Sequence, residues 1–195
     1  PENQPVLPYD TVEAKRILAA KGWRPGPDGI LVKDGQRFSF TLLTNAENRR
    51  RVDVAQILER QWRRIGVEAR IQTLEFNTAI ERTTNREFEA FIGGWNVGLS
   101  ADLYQLWGDP NLPFNFVSYD NPEVQRLFKL ALEQPTEETA APYWREAAGL
   151  IAADQPYNWL YYYDTPYAIN NRLQGTLVNT LSQYQRVWEW YIADS

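Results

Sequence analysis

Three residue types are absent from the chain: its 195 residues include no cysteine, no histidine and no methionine. Without cysteine there is no disulfide, no thiolate zinc site and no cysteine nucleophile. Without histidine, the commonest general base and the commonest transition-metal ligand are missing. Both absences weaken a Ser-His, Cys-His or zinc-hydrolase mechanism for any reaction that this chain performs alone. We therefore expect no catalytic activity, no bound metal and no cofactor.

Long hydrophobic runs are also absent. No apolar stretch approaches the roughly 18 residues of a membrane span, and no signal peptide opens the sequence. The chain starts at Pro1 and contains no methionine. We therefore expect a processed product or a piece of a longer protein, with any targeting segment lost together with the missing part.

Positive charge is in the minority. A net charge of −5 and a pI near 4.9 argue against a general nucleic-acid binder, because phosphate neutralisation needs a basic field. One basic cluster, Arg49, Arg50 and Arg51, is interleaved with acidic residues such as Asp53. This pattern predicts a solvated helix face.

The sequence is rich in aromatic side chains, which make up 14% of the chain and include eight Trp and eleven Tyr. Such rings often combine an apolar face with a polar handle, so they suit protein cores and ligand-facing surfaces alike. The apolar content of 44% is ordinary for a globular protein. At 195 residues, the chain is long enough for one globular domain or one lobe of a larger protein.

The pattern of apolar and turn residues predicts an α/β fold that begins with a helix and a hairpin. Asp10 is placed as the N-cap of a helix that ends before Gly22. Asp34-Gly35 is a strong two-residue hairpin signal between strands at 30–32 and 36–43.

Two βα repeats follow the hairpin. A helix over 47–65 carries its apolar residues on one stripe and leads to an alternating strand over 67–71. This order predicts two parallel strands joined by a right-handed crossover. A second helix, over 76–85, leads into a strand over 88–92.

The carboxyl ends of these strands are where ligands bind in parallel α/β sheets. Asn45 and the segment 93–102 follow two of the strands. In that segment Trp95, Asn96 and Asp102 supply an indole, an amide and a carboxylate, the usual makeup of a small-molecule pocket. By composition alone, the same residues also fit core aromatics and a helix-capping Asp.

The remainder of the chain predicts two helices, an aromatic strand and several short strands. The first helix begins near Pro122 and the second runs over 137–153. The aromatic strand covers 157–163. We expect all residues to form one domain. Its parts are a lead-in helix and hairpin over about 1–43, a βα core over 44–165 and return strands over 166–195.

Several separate segments match one known family in sequence and spacing. They are residues 9–23, 40–45, 55–58 with 62–67, 95–107, 115–124 and 156–162. Together they resemble the extracellular solute-binding proteins of family 5, the dipeptide, oligopeptide, nickel and oligosaccharide receptors of ABC importers. The resemblance covers nearly the whole chain but only the C-terminal half of such a protein.

The resemblance implies a two-lobed, hinged receptor that closes on its solute and presents it to a membrane permease. This chain would be the C-terminal lobe of a periplasmic-binding-protein-like (type II) fold, with a mixed, mainly parallel sheet flanked by helices. Its implied partners are a peptide or oligosaccharide, an ABC permease and the N-terminal lobe of the same protein. The implied location is periplasmic or extracellular, either free or held by a lipid anchor.

The resemblance also implies roles for individual residues. In peptide-binding members a Trp and an Asp, matched here by Trp95 and Asp102, line the cleft, and the Asp pairs with the amino group of the peptide. This chain differs by the spacer 96–101 and by Ser100, where many relatives carry another Asp. Trp107 is assigned to packing. The predicted ligand-binding residues are Asn45, Trp95, Asn96, Asp102 and Tyr119.

Other functions fit parts of the sequence. A glycoside hydrolase could use Asp102 and Asp109 as paired carboxylates beside aromatic sugar platforms. Solute-binding folds also serve as sensor lobes of transcription regulators. Within the importer interpretation, an oligosaccharide receptor is the alternative to a peptide receptor, because exposed aromatic rings suit sugars and apolar side chains equally.

Overall fold

The computed structural model describes residues 8–95, 103–164, 166–179, 182 and 184–193. They form two compact units, one of residues 8–95 and 103–156 and one of the described residues from 157 to 193. The expectation that the whole chain belongs to one lobe of a larger receptor stays a prediction. In the part of the chain that the structure describes, none of the helices combines the length and the apolar character of a membrane span.

The first unit alternates helices with short strands. In chain order its elements are α1 (Thr11–Ala20), β1 (Arg24–Pro25), β2 (Leu31–Lys33), β3 (Gln36–Arg37), β4 (Ser39–Asn45), α2 (Arg49–Arg63), β5 (Glu68–Leu74), α3 (Phe76–Thr84), β6 (Ala90–Phe91), α4 (Tyr104–Trp107), α5 (Pro122–Leu132) and α6 (Glu137–Asp154).

The first helix begins and ends as predicted. Asp10 accepts hydrogen bonds from the backbone N–H groups of Val12 and Glu13, which satisfies two of the donors left free at a helix start. Gly22 follows the helix with a φ of +92°, a conformation that glycine adopts without strain.

The predicted hairpin is confirmed, but the long strand predicted after it is wrong. Asp34 and Gly35 both have positive φ, as a type I′ turn requires, and join the antiparallel strands β2 and β3. The run 36–43 is split at Phe38, whose ring stacks on Trp23 with 4.5 Å between centroids. Residues before Phe38 pair with β2, whereas those after it pair with β5, so one alternating run serves two sheets.

The central element of the first unit is β4, which has a parallel neighbour on each side. The strand order is β5-β4-β6. Ser39 is opposite Glu68 and Asn45 is opposite Leu74, while Leu42 pairs with Ala90. This confirms the predicted βαβ unit, the second repeat and the expected α/β class with a mainly parallel sheet. Residues 42–45 are all buried, as expected of a strand inside a parallel sheet.

Helix α2 covers this sheet with the predicted apolar stripe. Val54, Leu58 and Trp62 pack against a buried cluster. The cluster consists of Leu42, Ala55, Ala69 and Ile92. The turn after α2 requires glycine at Gly66, which has a φ of +84° and would place a Cβ 2.8 Å from Cγ of Leu31.

The last two helices of the first unit pack on each other. Asn121 caps α5, and Pro122 occupies its first turn. Four apolar residues form the buried face of α5: Val124, Leu127, Phe128 and Ala131. The ring of Phe128 meets Trp144 of α6 edge-on, with 5.1 Å between centroids.

The second unit contains little regular structure. Two short antiparallel strands, β7 (Leu173–Gln174) and β8 (Tyr191–Ile192), pair with each other, and a 3₁₀ turn spans Val187–Glu189. The predicted aromatic strand over 157–163 is wrong: these residues are described, and none of them belongs to a strand. High β propensity depends on packing on a half-buried sheet surface, whereas Tyr162 is 97% exposed.

We expect the core of the βαβ unit to dominate the stability of the first unit. Replacing Leu42, which is 2% exposed, with Ala removes packing against α2 and should lower the free energy of unfolding by about 2–5 kcal/mol. Ile57 also lies on α2 but is exposed, so Ile57→Ala is the matched control and should cost less than about 1 kcal/mol. Urea unfolding measures both, and equal losses would contradict this assignment of the core.

Candidate functional site

The carboxyl ends of β4 and β6 lie side by side. The hydroxyl of Thr44 donates to the backbone carbonyl of Ile92 over 3.1 Å, and the N–H of Ile92 donates to the carbonyl of Leu43 over 2.8 Å. Asn45 ends β4, and the segment that begins at Gly93 follows β6. The structure therefore places Asn45 and the start of the predicted binding segment at the same edge of the sheet.

Asn45 is the centre of a polar network at this edge. Its side chain is only 5% exposed, and its Oδ1 accepts a 2.8 Å hydrogen bond from Nη1 of Arg51. Its Nδ2 donates to Oε2 of Glu47 over 3.2 Å. The other carboxylate oxygen of Glu47 accepts from the N–H of Phe76, the first residue of α3. The network thus joins β4, α2 and α3 through one buried amide.

The charge of Glu47 is stabilised by the same contacts. Hydrogen bonds from its own backbone N–H, and then from Asn45, lower the pKa of this carboxyl below its ordinary value. Glu47 therefore stays ionised at neutral pH and orients the Asn45 amide. Five residues around this point line an open depression of about 500 Å³: Asn45, Glu47, Asn48, Arg49 and Arg50.

Trp95 offers an exposed aromatic surface beyond β6. Its indole is 38% exposed and stacks on Phe116, with 5.3 Å between centroids and 20° between planes. Phe114 meets the same indole edge-on at 5.9 Å. A supported ring of this kind can cover an apolar side chain or a sugar ring, or receive a cation.

Two glycines precede Trp95, and each has a side-chain atom close to the position that a Cβ would take. A Cβ at Gly93 would lie 2.4 Å from Cε1 of Phe91, and a Cβ at Gly94 would lie 3.3 Å from Nη2 of Arg51. Arg51 therefore contacts both parts of the site, with one nitrogen on Asn45 and the other beside the backbone that leads to Trp95.

Arg51 is the residue that sequence analysis missed. The prediction of a solvated basic helix face is confirmed for Arg49, which is largely exposed and pairs with Asp53 at 2.9 Å. It is wrong for Arg51, which is half-buried. The available signal was its position three residues after the Asn48 cap, in the first turn of the helix that follows β4.

Tyr119 lies in a separate polar cluster. Its hydroxyl donates a 2.6 Å hydrogen bond to Oδ2 of Asp154 at the end of α6, and its ring meets Trp107 edge-on at 5.7 Å. Trp107 is 1% exposed, which confirms its predicted packing role. Among the described residues, no hydrogen bond or ring contact joins Tyr119 to Asn45 or Trp95.

The Tyr119–Asp154 hydrogen bond perturbs both groups. Burial, and then the bond to the carboxylate, raises the pKa of the Tyr119 hydroxyl well above its usual range. The bonds from Tyr119 and Asn121 lower the pKa of Asp154. A ligand-binding role for Tyr119 stays a prediction. The same holds for Asn45 and Trp95, and for Asn96 and Asp102, which lie outside the described residues.

Comparison with known proteins decides the family. Residues 1–110, more than half of the chain, match the family described as bacterial extracellular solute-binding proteins, family 5 Middle. The chain belongs to this family. The resemblance noted from the sequence is thereby confirmed.

Individual relatives support the assignment. The oligopeptide-binding protein AppA of Bacillus subtilis is 32% identical over 194 residues, which are 97% of this chain and 36% of that protein. The structure of AppA in complex with a nonapeptide superposes with a TM-score of 0.86 at 31% identity, over all of this chain and 40% of that one. NikZ of Campylobacter jejuni, solved with Ni(L-His), gives 0.78 at 20% identity over 97% of this chain and 40% of that one, which shows the shared fold alone.

These matches confirm the expected periplasmic-binding-protein-like fold. The chain spans between 36% and 40% of the length of these relatives.

The pKa shift of Asp154 predicts how stability depends on pH. A lowered pKa means that Asp154 stabilises the fold above its ordinary pKa of 3.8 and that this contribution is lost as the pH falls below that value. Tyr119→Phe removes the hydroxyl hydrogen bond, one of the two bonds that lower the pKa of Asp154. We expect this variant to be less stable than the parent at neutral pH and the difference to shrink below the ordinary pKa of Asp154.

Thermal unfolding as a function of pH measures this effect. Tyr9→Phe is the control, because Tyr9 is exposed and should show no such pH-dependent difference. A deficit of Tyr119→Phe that persists unchanged at strongly acid pH would refute the role of the Asp154 carboxylate.

Proposed function

We propose that this chain is one lobe, the C-terminal one, of the solute-binding component of an ABC importer that captures a peptide by closing two lobes around it. Family membership supports the receptor role. Peptide as the solute class is supported by the relative that is an oligopeptide-binding protein and by its structure with a nonapeptide.

The observation that carries the proposal is the pairing of an exposed aromatic face with a fixed polar edge. The ring of Trp95 stacks on Phe116. Asn45, at the end of the neighbouring strand β4, accepts a hydrogen bond from Arg51. An apolar surface with a few oriented polar groups is the usual composition of a small-solute site. Its place beyond the carboxyl ends of parallel strands is where such sites form.

Closure of the second lobe supplies the affinity in this proposal. Excluding water strengthens the polar contacts, and the solute shifts the population toward the closed state because it binds that state better. Asp102 would pair with the peptide's amino group in a charge-assisted hydrogen bond, which in a closed cleft is stronger than an exposed ion pair.

An oligosaccharide is the second candidate solute. An oligosaccharide is favoured by the two exposed rings, because Phe114 extends the aromatic surface that Trp95 presents. A thermal-shift screen of di- to nonapeptides against oligosaccharides separates the two, since a bound solute raises the melting temperature of the native state.

The remaining assignments follow from the receptor role. We assign no enzymatic activity and place the protein in the periplasm or outside the cell, free or lipid-anchored, with an ABC permease as its membrane partner. Exposed aromatic residues in the second unit support contact with the other lobe: Trp159, Tyr161, Tyr162 and Tyr163. An apolar run of this size in solvent marks an interaction surface.

Replacing the aromatic face should weaken solute binding. In the full-length receptor, Trp95→Ala is expected to raise Kd about 10- to 100-fold, since a large ring in a closed cleft contributes strongly to affinity. Trp95→Phe should raise Kd less than Trp95→Ala does, because it keeps an aromatic surface. Isothermal titration with the peptide or sugar selected in the thermal-shift screen measures the effect.

Tyr9→Ala is the matched control, because Tyr9 is an exposed aromatic residue that precedes α1 and should leave Kd unchanged. Equal binding by Trp95→Ala and the parent receptor would overturn the assignment of this site.

The isolated chain should bind poorly. One lobe offers part of the contacts that bury a solute in a closed receptor, so we expect its Kd to be at least about 100-fold higher than that of the full-length receptor. Calorimetry on both proteins with the same solute tests this. Nanomolar binding to the isolated chain would contradict the two-lobe model.

A further inference from the structure

We propose that Arg51 is a positioning residue of the solute site, which acts on the solute through Trp95. This inference rests on the proposed function of the same site. Arg51 is half-buried, its Nη1 donates to Oδ1 of Asn45 over 2.8 Å, and its Nη2 lies beside Gly94. One planar guanidinium thus lies between the end of β4 and the segment that follows β6.

The local charge makes Arg51 unusual for its position. The first turn of α2 holds three arginines and no acidic residue, although the positive end of the helix dipole disfavours cations there. Arg49 is compensated by the ion pair with Asp53. Among the described residues Arg51 forms no ion pair; its hydrogen bond goes to the neutral amide of Asn45, which Glu47 in turn orients.

The proposed role of Arg51 rests on the position of its Nη2 beside Gly94. Apart from the residues next to Gly94 in the chain, Nη2 of Arg51 is the described atom within 4 Å of a Cβ built at Gly94. The guanidinium therefore limits the space beside the backbone that leads to Trp95. The fork geometry of Arg lets one nitrogen stay on Asn45 while the other rests against the turn. Loss of Arg51 would free the turn and let Trp95 leave its stack on Phe116.

A double-mutant cycle in the full-length receptor tests this coupling. Arg51→Met should raise Kd for the solute selected in the thermal-shift screen about 10-fold in the parent background. With Trp95→Ala already present, the same change should add less than about 2-fold, because nothing remains to be positioned. Arg60→Met is the control on the same helix, because Arg60 is exposed and lies in its last turn, and it should change Kd less than about 2-fold in both backgrounds.

Two further variants separate positioning from general stability. Arg51→Lys keeps the charge but not the fork, and should bind more weakly than the parent. Gly94→Ala should weaken binding in the parent, where the new methyl group meets Nη2, and have a smaller effect beside Arg51→Met. A purely structural role would instead lower Tm in every background without a non-additive change in Kd.

The outcomes distinguish the two proposals. If the parent receptor binds none of the screened peptides or sugars, the proposed function fails. If the parent binds and the effects of Arg51→Met and Trp95→Ala simply add, the solute site stands and the positioning role of Arg51 is overturned. Non-additive loss, with Kd unchanged by Arg60→Met, supports the positioning role of Arg51.

Discussion

The first unit depends on a single strand that is hydrogen-bonded on both sides. Because β4 lies between β5 and β6, its last residues are buried and their side chains have little access to bulk water. An amide at such a place must find protein partners, since an unsatisfied buried polar group is costly. Asn45 finds them in Arg51 and Glu47, and the rest of the site is built around that requirement.

The same constraint links stability to the proposed function. Packing of α2 on the sheet fixes where its first turn begins, and that turn delivers Arg51 to the strand ends. The segment after β6 has Phe91 and Arg51 beside its two glycines, and it places Trp95 against Phe116. A rigid scaffold therefore presents an aromatic surface and an oriented amide, which is what a solute-binding lobe needs before its partner closes.

The sequence correctly predicted the features that depend on residues close together in the chain. The apolar stripe of α2, the Asp34-Gly35 turn and the Asp10 cap each rest on residues a few positions apart, and all three are found. The errors concern partners far away in the chain. The strand break at Phe38 depends on Trp23 and β5, and the aromatic run over 157–163 belongs to no strand in the described structure despite its high β propensity. Arg51 looked like one of three surface arginines because its contact with the turn before Trp95 spans more than forty residues of sequence.

Hydrogen–deuterium exchange of the full-length receptor, with and without its solute, tests the central claim most directly, since it maps where solute binding protects the backbone. We predict that binding slows exchange at the ends of β4 and β6, residues 43–46 and 91–95, more than elsewhere in this chain. Unchanged exchange in both segments, with protection confined to other parts of the chain, would contradict a solute site at this edge of the sheet.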